Sequence, residues 1–89
     1  MAARHFIITG RVQGVGFRAF VRELARELGC TGEVWNCRNG NVEVVAVTNE
    51  ITLQDFAEKL KRGPGRVDSV QIFITDDREY RDFSIGSTR

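Results

Sequence analysis

The spacing of the apolar residues changes period four times along this chain, and those changes constrain its fold more than any other feature. Residues 5 to 13 alternate: Phe6, Ile8, Gly10 and Val12 face one way, and His5, Ile7, Thr9, Arg11 and Gln13 the other. A period of two is that of a half-buried strand. From about Arg18 the period lengthens. Phe20, Leu24 and Leu28 recur every four residues with Val21 and Ala25 beside them, while Arg22, Glu23, Arg26 and Glu27 take the wet side. That is the apolar stripe of an amphipathic helix, and Gly29 is suited to end it in a left-handed conformation.

Two β-rich runs follow, at about residues 32 to 37 and 42 to 48, flanking the hairpin pair Asn39-Gly40. The segment "TNEITLQDFAEKLKRG" then predicts a second helix. Thr52 and Asp55 are spaced as a capping box, and Leu53, Phe56, Ala57 and Leu60 form the buried stripe. Gly63-Pro64-Gly65 stops it. "RVDSVQIFITD" reads as another strand with Val70, Ile72 and Ile74 on one face, and Phe83 to Ile85 as a short edge strand. The order β-α-β-β-α-β predicts an α+β, ferredoxin-like sandwich: a mainly antiparallel sheet with two helices on one face. At 89 residues the chain is expected to form a single domain, residues 1 to 89, large enough to bury a modest core without disulfides or metals.

Composition narrows the function. A net charge of +1 gives no bulk electrostatic grip on nucleic acid or an anionic membrane, so any anion must be bound locally. The start "MAARHFIITG" is too short and broken for a signal peptide, which points to a cytoplasmic protein. Cys30 and Cys37 fit no zinc spacing. A strand between them would hold them roughly 20 Å apart, beyond disulfide reach, so both are read as free thiols.

In the expected topology strands one and two are parallel, with strand three between them, so their C-terminal ends reach the same edge of the sheet. The first ends in "QGVGFR" and the second in Asn36. Val34 is expected to face the helices, and side-chain parity puts Asn36 on the same side. Three readings of the glycine pair Gly14 and Gly16 compete. "GVGFRA" satisfies the dinucleotide pattern G-x-G-x-x-G/A, but strand two ends in Asn36 and Cys37 and turns straight into a hairpin, with no acidic residue for a ribose. No Lys-Ser or Lys-Thr follows, as a Walker loop requires. A plain turn explains the glycines but not Arg18, since a cation is ill-placed in a helix's first turn. A nest of backbone N–H groups, the helix N-terminus and Arg18 together suit one small anion, such as a phosphoryl group.

Here the residues carry a resemblance. "VQGVGFR" followed by G-x-V-x-N-x-x-x-G-x-V-E, residues 32 to 43, resembles the acylphosphatase family over essentially the whole chain. The resemblance implies the ferredoxin-like fold and hydrolysis of the carboxyl–phosphate bond of acyl phosphates. It implies that Gln13, Gly14, Val15, Gly16, Phe17 and Arg18 form the phosphate-binding loop, with Arg18 the essential ligand. Asn36 corresponds to the asparagine that positions the attacking water. Inorganic phosphate is then product and competitive inhibitor, with no metal or other cofactor and a monomer as the working unit. Asn39 stands where the family often has Asp, which keeps the turn. Some members end with a terminal carboxylate near the arginine, whereas here "GSTR" follows Ile85. A related domain begins larger carbamoyl-transfer proteins of hydrogenase maturation.

His5 is expected at the far end of strand one on the open face, as an exposed strand residue, and Cys37 on the face opposite Asn36. A phosphoenzyme is therefore not expected. The competing class is a non-catalytic phosphate- or RNA-binding module, since ferredoxin-like sheets also serve as RNA readers. Its candidates on the open face are Trp35 and Phe73 with Ile7 nearby, while strand three offers only Val45 and Val47. The basic-aromatic signature is missing, and Trp35 is read as shielding the open face or meeting a partner.

Overall fold

A computed structural model describes residues 1 to 76 and 78 to 89. The elements run β1 (Ala2–Arg11), α1 (Phe17–Leu28), β2 (Thr31–Asn36), β3 (Val42–Thr48), α2 (Glu50–Leu60), β4 (Arg66–Ile74) and β5 (Phe83–Ile85). They form a sheet of order β4-β1-β3-β2-β5. All pairs are antiparallel except β2 with β5, which run parallel with Val34 opposite Ile85. With β3 antiparallel to both, β1 and β2 run the same way and end at the same edge. This is the ferredoxin-like sandwich that the alternation of periods predicts. The first strand, Ala2–Arg11, begins three residues and ends two residues earlier than its pattern over residues 5 to 13 suggests.

Both helices lie on one face. Phe6 and Ile8 from β1, Val34 from β2, and Val42 and Val44 from β3 meet Phe17, Val21, Phe56 and Leu60 in one core. Phe6 packs edge-on against Phe56 at 5.4 Å, and Phe56 against Phe83 at 6.4 Å. Burying each such ring stabilises the fold by about 1.5–3 kcal/mol relative to exposure. The short strand β5 is thus tied to the core by Phe83 as well as by backbone pairing. On the outermost strand, Ile72 and Ile74 share the helix-side face with Val70, yet stay exposed at 50% and 84%, because α2 does not reach over that edge.

Two sequence expectations need correction, and a third gains detail. The cap of α2 is Asn49, not Thr52: Asn49 is extended, and its Oδ1 accepts a hydrogen bond from the Thr52 N–H at 2.8 Å. The helix therefore begins one turn before the apparent Thr52–Asp55 capping box, with Glu50 in its first turn. The hairpin expected at Asn39-Gly40 is present, with the pair inside a three-residue loop. Cys37 N–H donates to Asn41 O and Gly40 N–H to Cys37 O, with Gly40 at φ +98°. That is a tight turn followed by a left-handed glycine. His5 is half-buried, not exposed, and its Nε2 meets Glu43 Oε1 at 2.7 Å.

The cap assignment is testable by urea denaturation. Asn49→Ala should cost about 1 kcal/mol, whereas Thr52→Ala should change stability by less than about 0.5 kcal/mol. The reverse order would restore the capping box at Thr52.

Candidate active site

The bend between β1 and α1 is built by two left-handed glycines, Gly14 at φ +74° and Gly16 at φ +84°. A Cβ at either would meet nothing within 4 Å, so the requirement is conformational rather than one of space. Gly16 is also the N-cap of α1 and brings no side chain to cap it. Among the described residues, no N–H of residues 14 to 19 donates to a backbone acceptor; the first helical bond is Phe20 N–H to Gly16 O at 3.1 Å. The first turn also lacks an acidic residue. A cluster of unclaimed donors and a positive dipole end therefore meet at one place.

Arg18 adds a guanidinium to that place. It is half-buried and, among the described residues, makes neither an ion pair nor a hydrogen bond. A hollow of about 210 Å³ opens here, lined by Gly14, Gly16, Phe17 and Arg18 from the bend and by Val12 and Ile85 from the strands. Phe17 turns its ring into the core, leaving its backbone at the bend. Val15 packs against the same core from the rim.

Asn36 closes β2 opposite Val42, on the helix-facing side with Val34. Its Oδ1 is buried and has no hydrogen-bond partner among the described residues; Arg22 Nε, one turn beyond Arg18, shares that condition. A buried acceptor left unpaired costs about 1–3 kcal/mol, more than a typical hydrogen bond contributes. A small donor arriving at Asn36 would recover that cost. Asn36 does not line the Arg18 hollow itself. Both lie toward the same sheet edge: Ile85, which borders the hollow, pairs with Val34, two residues before Asn36.

Several features that hold this edge escape sequence inspection. Gly65, at φ +83°, packs so closely behind the bend that a side chain there would collide with Arg11 O and Val15, and one at Gly63 would collide with the ring of Phe17. The Gly-Pro-Gly segment thus supports the bend as well as ending α2. Gln13 Nε2 donates to Cys37 O at 2.7 Å and Asn41 O at 2.8 Å. The tail beyond β5 continues along β2: Gly86 N–H donates to Val34 O, Arg89 N–H to Asn36 O at 2.9 Å, and Arg38 N–H to Arg89 O. The Arg89 guanidinium caps the Trp35 ring at 4.1 Å and reaches Glu33 at 2.9 Å.

On the open face Trp35 is only 7% exposed beneath Arg89, so its ring does not offer a stacking platform. Phe73 is 48% exposed on the outermost strand. Cys37 lies on this face, as parity predicts, and donates from Sγ to Glu43 Oε2 at 3.0 Å. Cys30 lies in the core on the other face, and both are free thiols. Burial pushes the Cys30 thiol up to about 11. Burial, then the hydrogen bond to Glu43, pushes Cys37 up to about 11 as well. Neither offers a thiolate at neutral pH. No group of three or more His, Cys, Asp or Glu able to hold a metal occurs among the described residues, and none of their helices is long and apolar enough to cross a membrane.

Residues 4–85 match the family model described as Acylphosphatase. The acylphosphatase of Archaeoglobus fulgidus is 40% identical over 88 residues, covering 97% of this chain and 99% of that protein. That of Pasteurella multocida is 43% identical, covering 96% and 98%. Among solved structures, the acylphosphatase from Bacillus subtilis superposes with a TM-score of 0.92 at 37% identity, covering 97% of this chain and 99% of that one. HypF of T. kodakarensis superposes with a TM-score of 0.86 at 32% identity over 98% of this chain, but this chain spans 12% of that protein.

The raised thiols make a pH prediction. Unfolded cysteines ionise near 9.0 and the folded ones near 11, so the unfolded state releases protons first and stability falls as pH rises through that window. The urea midpoint should drop between pH 9.0 and about 11, and drop less in a Cys30→Ala, Cys37→Ala double variant. Equal drops would contradict the assignment.

Proposed function

The chain belongs to the acylphosphatase family, and from that premise we propose how it hydrolyses acyl phosphates to a carboxylate and inorganic phosphate. The phosphoryl group is gripped by Arg18 and by backbone N–H groups of the bend formed by residues 13 to 18. A water held by Asn36 attacks phosphorus in line with the leaving carboxylate. The observation that carries this is the meeting of an unpaired guanidinium with a run of unclaimed N–H donors at an uncapped helix start. Each is unfavourable beside the other, and one phosphoryl group resolves both. Charge-assisted bonds to it contribute about 1.5–3 kcal/mol each.

Phosphoryl transfer asks the protein for positioning and for a field that favours charge on the equatorial oxygens. The bend and Arg18 supply that field. Asn36 Oδ1, buried and unpartnered, accepts a hydrogen from the water and so aims an oxygen lone pair at phosphorus. As the new P–O bond forms, the bond to the acyl oxygen breaks and the electron pair leaves on a stable carboxylate. The water's proton passes to a phosphoryl oxygen of the substrate. No strong general acid is needed, and the charge is met without a metal ion. Such a site favours acyl phosphates over phosphate monoesters, whose alkoxide leaving groups need a proton. The same reading makes inorganic phosphate a competitive inhibitor. We also propose that the enzyme works as a monomer in a reducing cytoplasm, where its two cysteines would remain the free thiols seen on opposite faces of the sheet.

Release of phosphate from benzoyl phosphate tests the assignment of roles. Arg18→Ala should lose about a thousandfold or more in turnover and lose phosphate inhibition. It should stay folded and as stable or slightly more so, because a cation leaves the positive end of a helix dipole. Asn36→Ala should lose about a hundredfold or more in kcat while phosphate inhibition stays within about threefold. Retained turnover in the Arg18 variant, or a parallel loss of kcat and phosphate affinity in the Asn36 variant, would overturn these roles.

A further inference from the structure

We propose that the side chain of Gln13 is a positioning group, not a phosphate ligand: it cross-links the anion-binding bend to the strand end that carries Asn36. The proposal rests on the roles given above to Arg18 and Asn36. A carboxamide has two N–H donors, and both are committed, to Cys37 O at 2.7 Å and Asn41 O at 2.8 Å. None remains for an anion. The two acceptors also fix which end of the side chain is nitrogen, since an oxygen facing two carbonyls would repel both.

The carbonyls it reaches are those that close the β2–β3 hairpin. Cys37 O also accepts from Gly40 N–H at 3.1 Å, and Asn41 O from Cys37 N–H at 2.8 Å. One amide group therefore locks the throat of the hairpin and, through Cys37, the backbone adjoining Asn36. On the chain's other side Gln13 adjoins Gly14, where the bend begins. This link is not redundant with the sheet. The strands β1 and β2 are not neighbours, because β3 lies between them. The ladder sets Asn36 level with Ile8 of β1 through their shared partner Val42, but β1 pairs with β3 no further than Ile8, so it does not reach the bend that begins after Gln13. The tail completes the clamp from the opposite side, where Arg89 N–H donates to Asn36 O.

The consequence is kinetic. An in-line attack needs the water and the phosphoryl group aligned within a fraction of an ångström, and a displacement of about 1 Å can cost about 100-fold. The bend keeps its own glycines and donors without Gln13, so affinity for phosphate should survive loss of the side chain while turnover should not.

The test compares Gln13→Glu, Gln13→Ala and Gln13→Lys with wild type, measuring kcat, KM and inhibition by inorganic phosphate with benzoyl phosphate as substrate. Glutamate keeps the shape but replaces both donors with acceptors, whereas lysine restores donors without the amide. The expected result is a loss of about 30- to 100-fold in kcat for the Glu and Ala variants, with KM and phosphate inhibition within about threefold of wild type. The Lys variant should recover at least about tenfold over the Glu variant. A kcat within about threefold of wild type in the Ala variant would overturn the proposal, as would a Lys variant no better than the Glu one. Phosphate inhibition weakening in step with kcat would instead make Gln13 an anion ligand and also overturn it. Should the Glu variant not fold, the Ala and Lys pair carries the same comparison. Turnover surviving in Arg18→Ala would remove the roles beneath the proposal, and is read separately from any Gln13 variant.

Discussion

The helix that follows Gly16 starts without a cap, and the rest of the molecule is arranged to tolerate that. An ordinary helix start satisfies its first donors with a Ser, Thr, Asp or Asn side chain and welcomes an acidic residue. Asn49 and Glu50 do this for α2. At α1 the same positions hold glycine and, two residues on, arginine. The omission costs about 1 kcal/mol for the missing cap and a fraction more for the misplaced cation. Burial of Phe17, which pins the first turn into the core, outweighs it at about 1.5–3 kcal/mol. The Gly-Pro-Gly segment packs directly behind Arg11, Val15 and Phe17, with no room for a side chain at Gly63 or Gly65.

The two faces of the sheet divide the remaining work. The helix-facing side of β2 carries Val34 into the core and Asn36 out to the edge. The opposite side is held together by polar and aromatic contacts. His5 meets Glu43, Glu43 accepts from Cys37, and Trp35 lies beside His5 under the Arg89 guanidinium. These contacts fix the strand that bears Asn36 from behind, and the tail from Gly86 to Arg89 fixes it from the side. A residue type associated with catalysis, histidine, is thereby used to brace a strand, while an asparagine and an arginine stand at the edge where we propose the chemistry occurs.

Much of this is legible in the amino-acid sequence. Element type follows from local period, and Phe6, Leu24 and Phe56 announce their buried faces by spacing alone. Side-chain parity along β2 placed Asn36 and Cys37 on opposite faces without knowledge of their neighbours. What was not legible depends on contacts distant in sequence. The partner of His5 is 38 residues away and that of Gln13 is 24. The two roles of Gly-Pro-Gly look identical in sequence, because a residue that ends a helix and one that allows close approach are both glycine. The cap at Asn49 escapes sequence inspection for a different reason: Thr52 and Asp55 offer the same pattern three residues later, and only the bonds from Thr52 N–H to Asn49 Oδ1 and from Leu53 N–H to Asn49 O mark where the helix begins. The extension of the tail along β2 could not be inferred either, since "GSTR" has no strand signal and is ordered by backbone bonds to a neighbour.

The central claim is that one phosphoryl group is bound at the uncapped start of α1 by backbone N–H groups and Arg18. Titrating inorganic phosphate into isotope-labelled protein and following the amide and guanidinium signals by NMR tests it most directly. The account predicts saturable shifts at residues 14 to 19 and at the Arg18 guanidinium, with the Asn36 side chain responding and the open face around Trp35 silent. Shifts centred on the open face, or no saturable change at the bend, would contradict it.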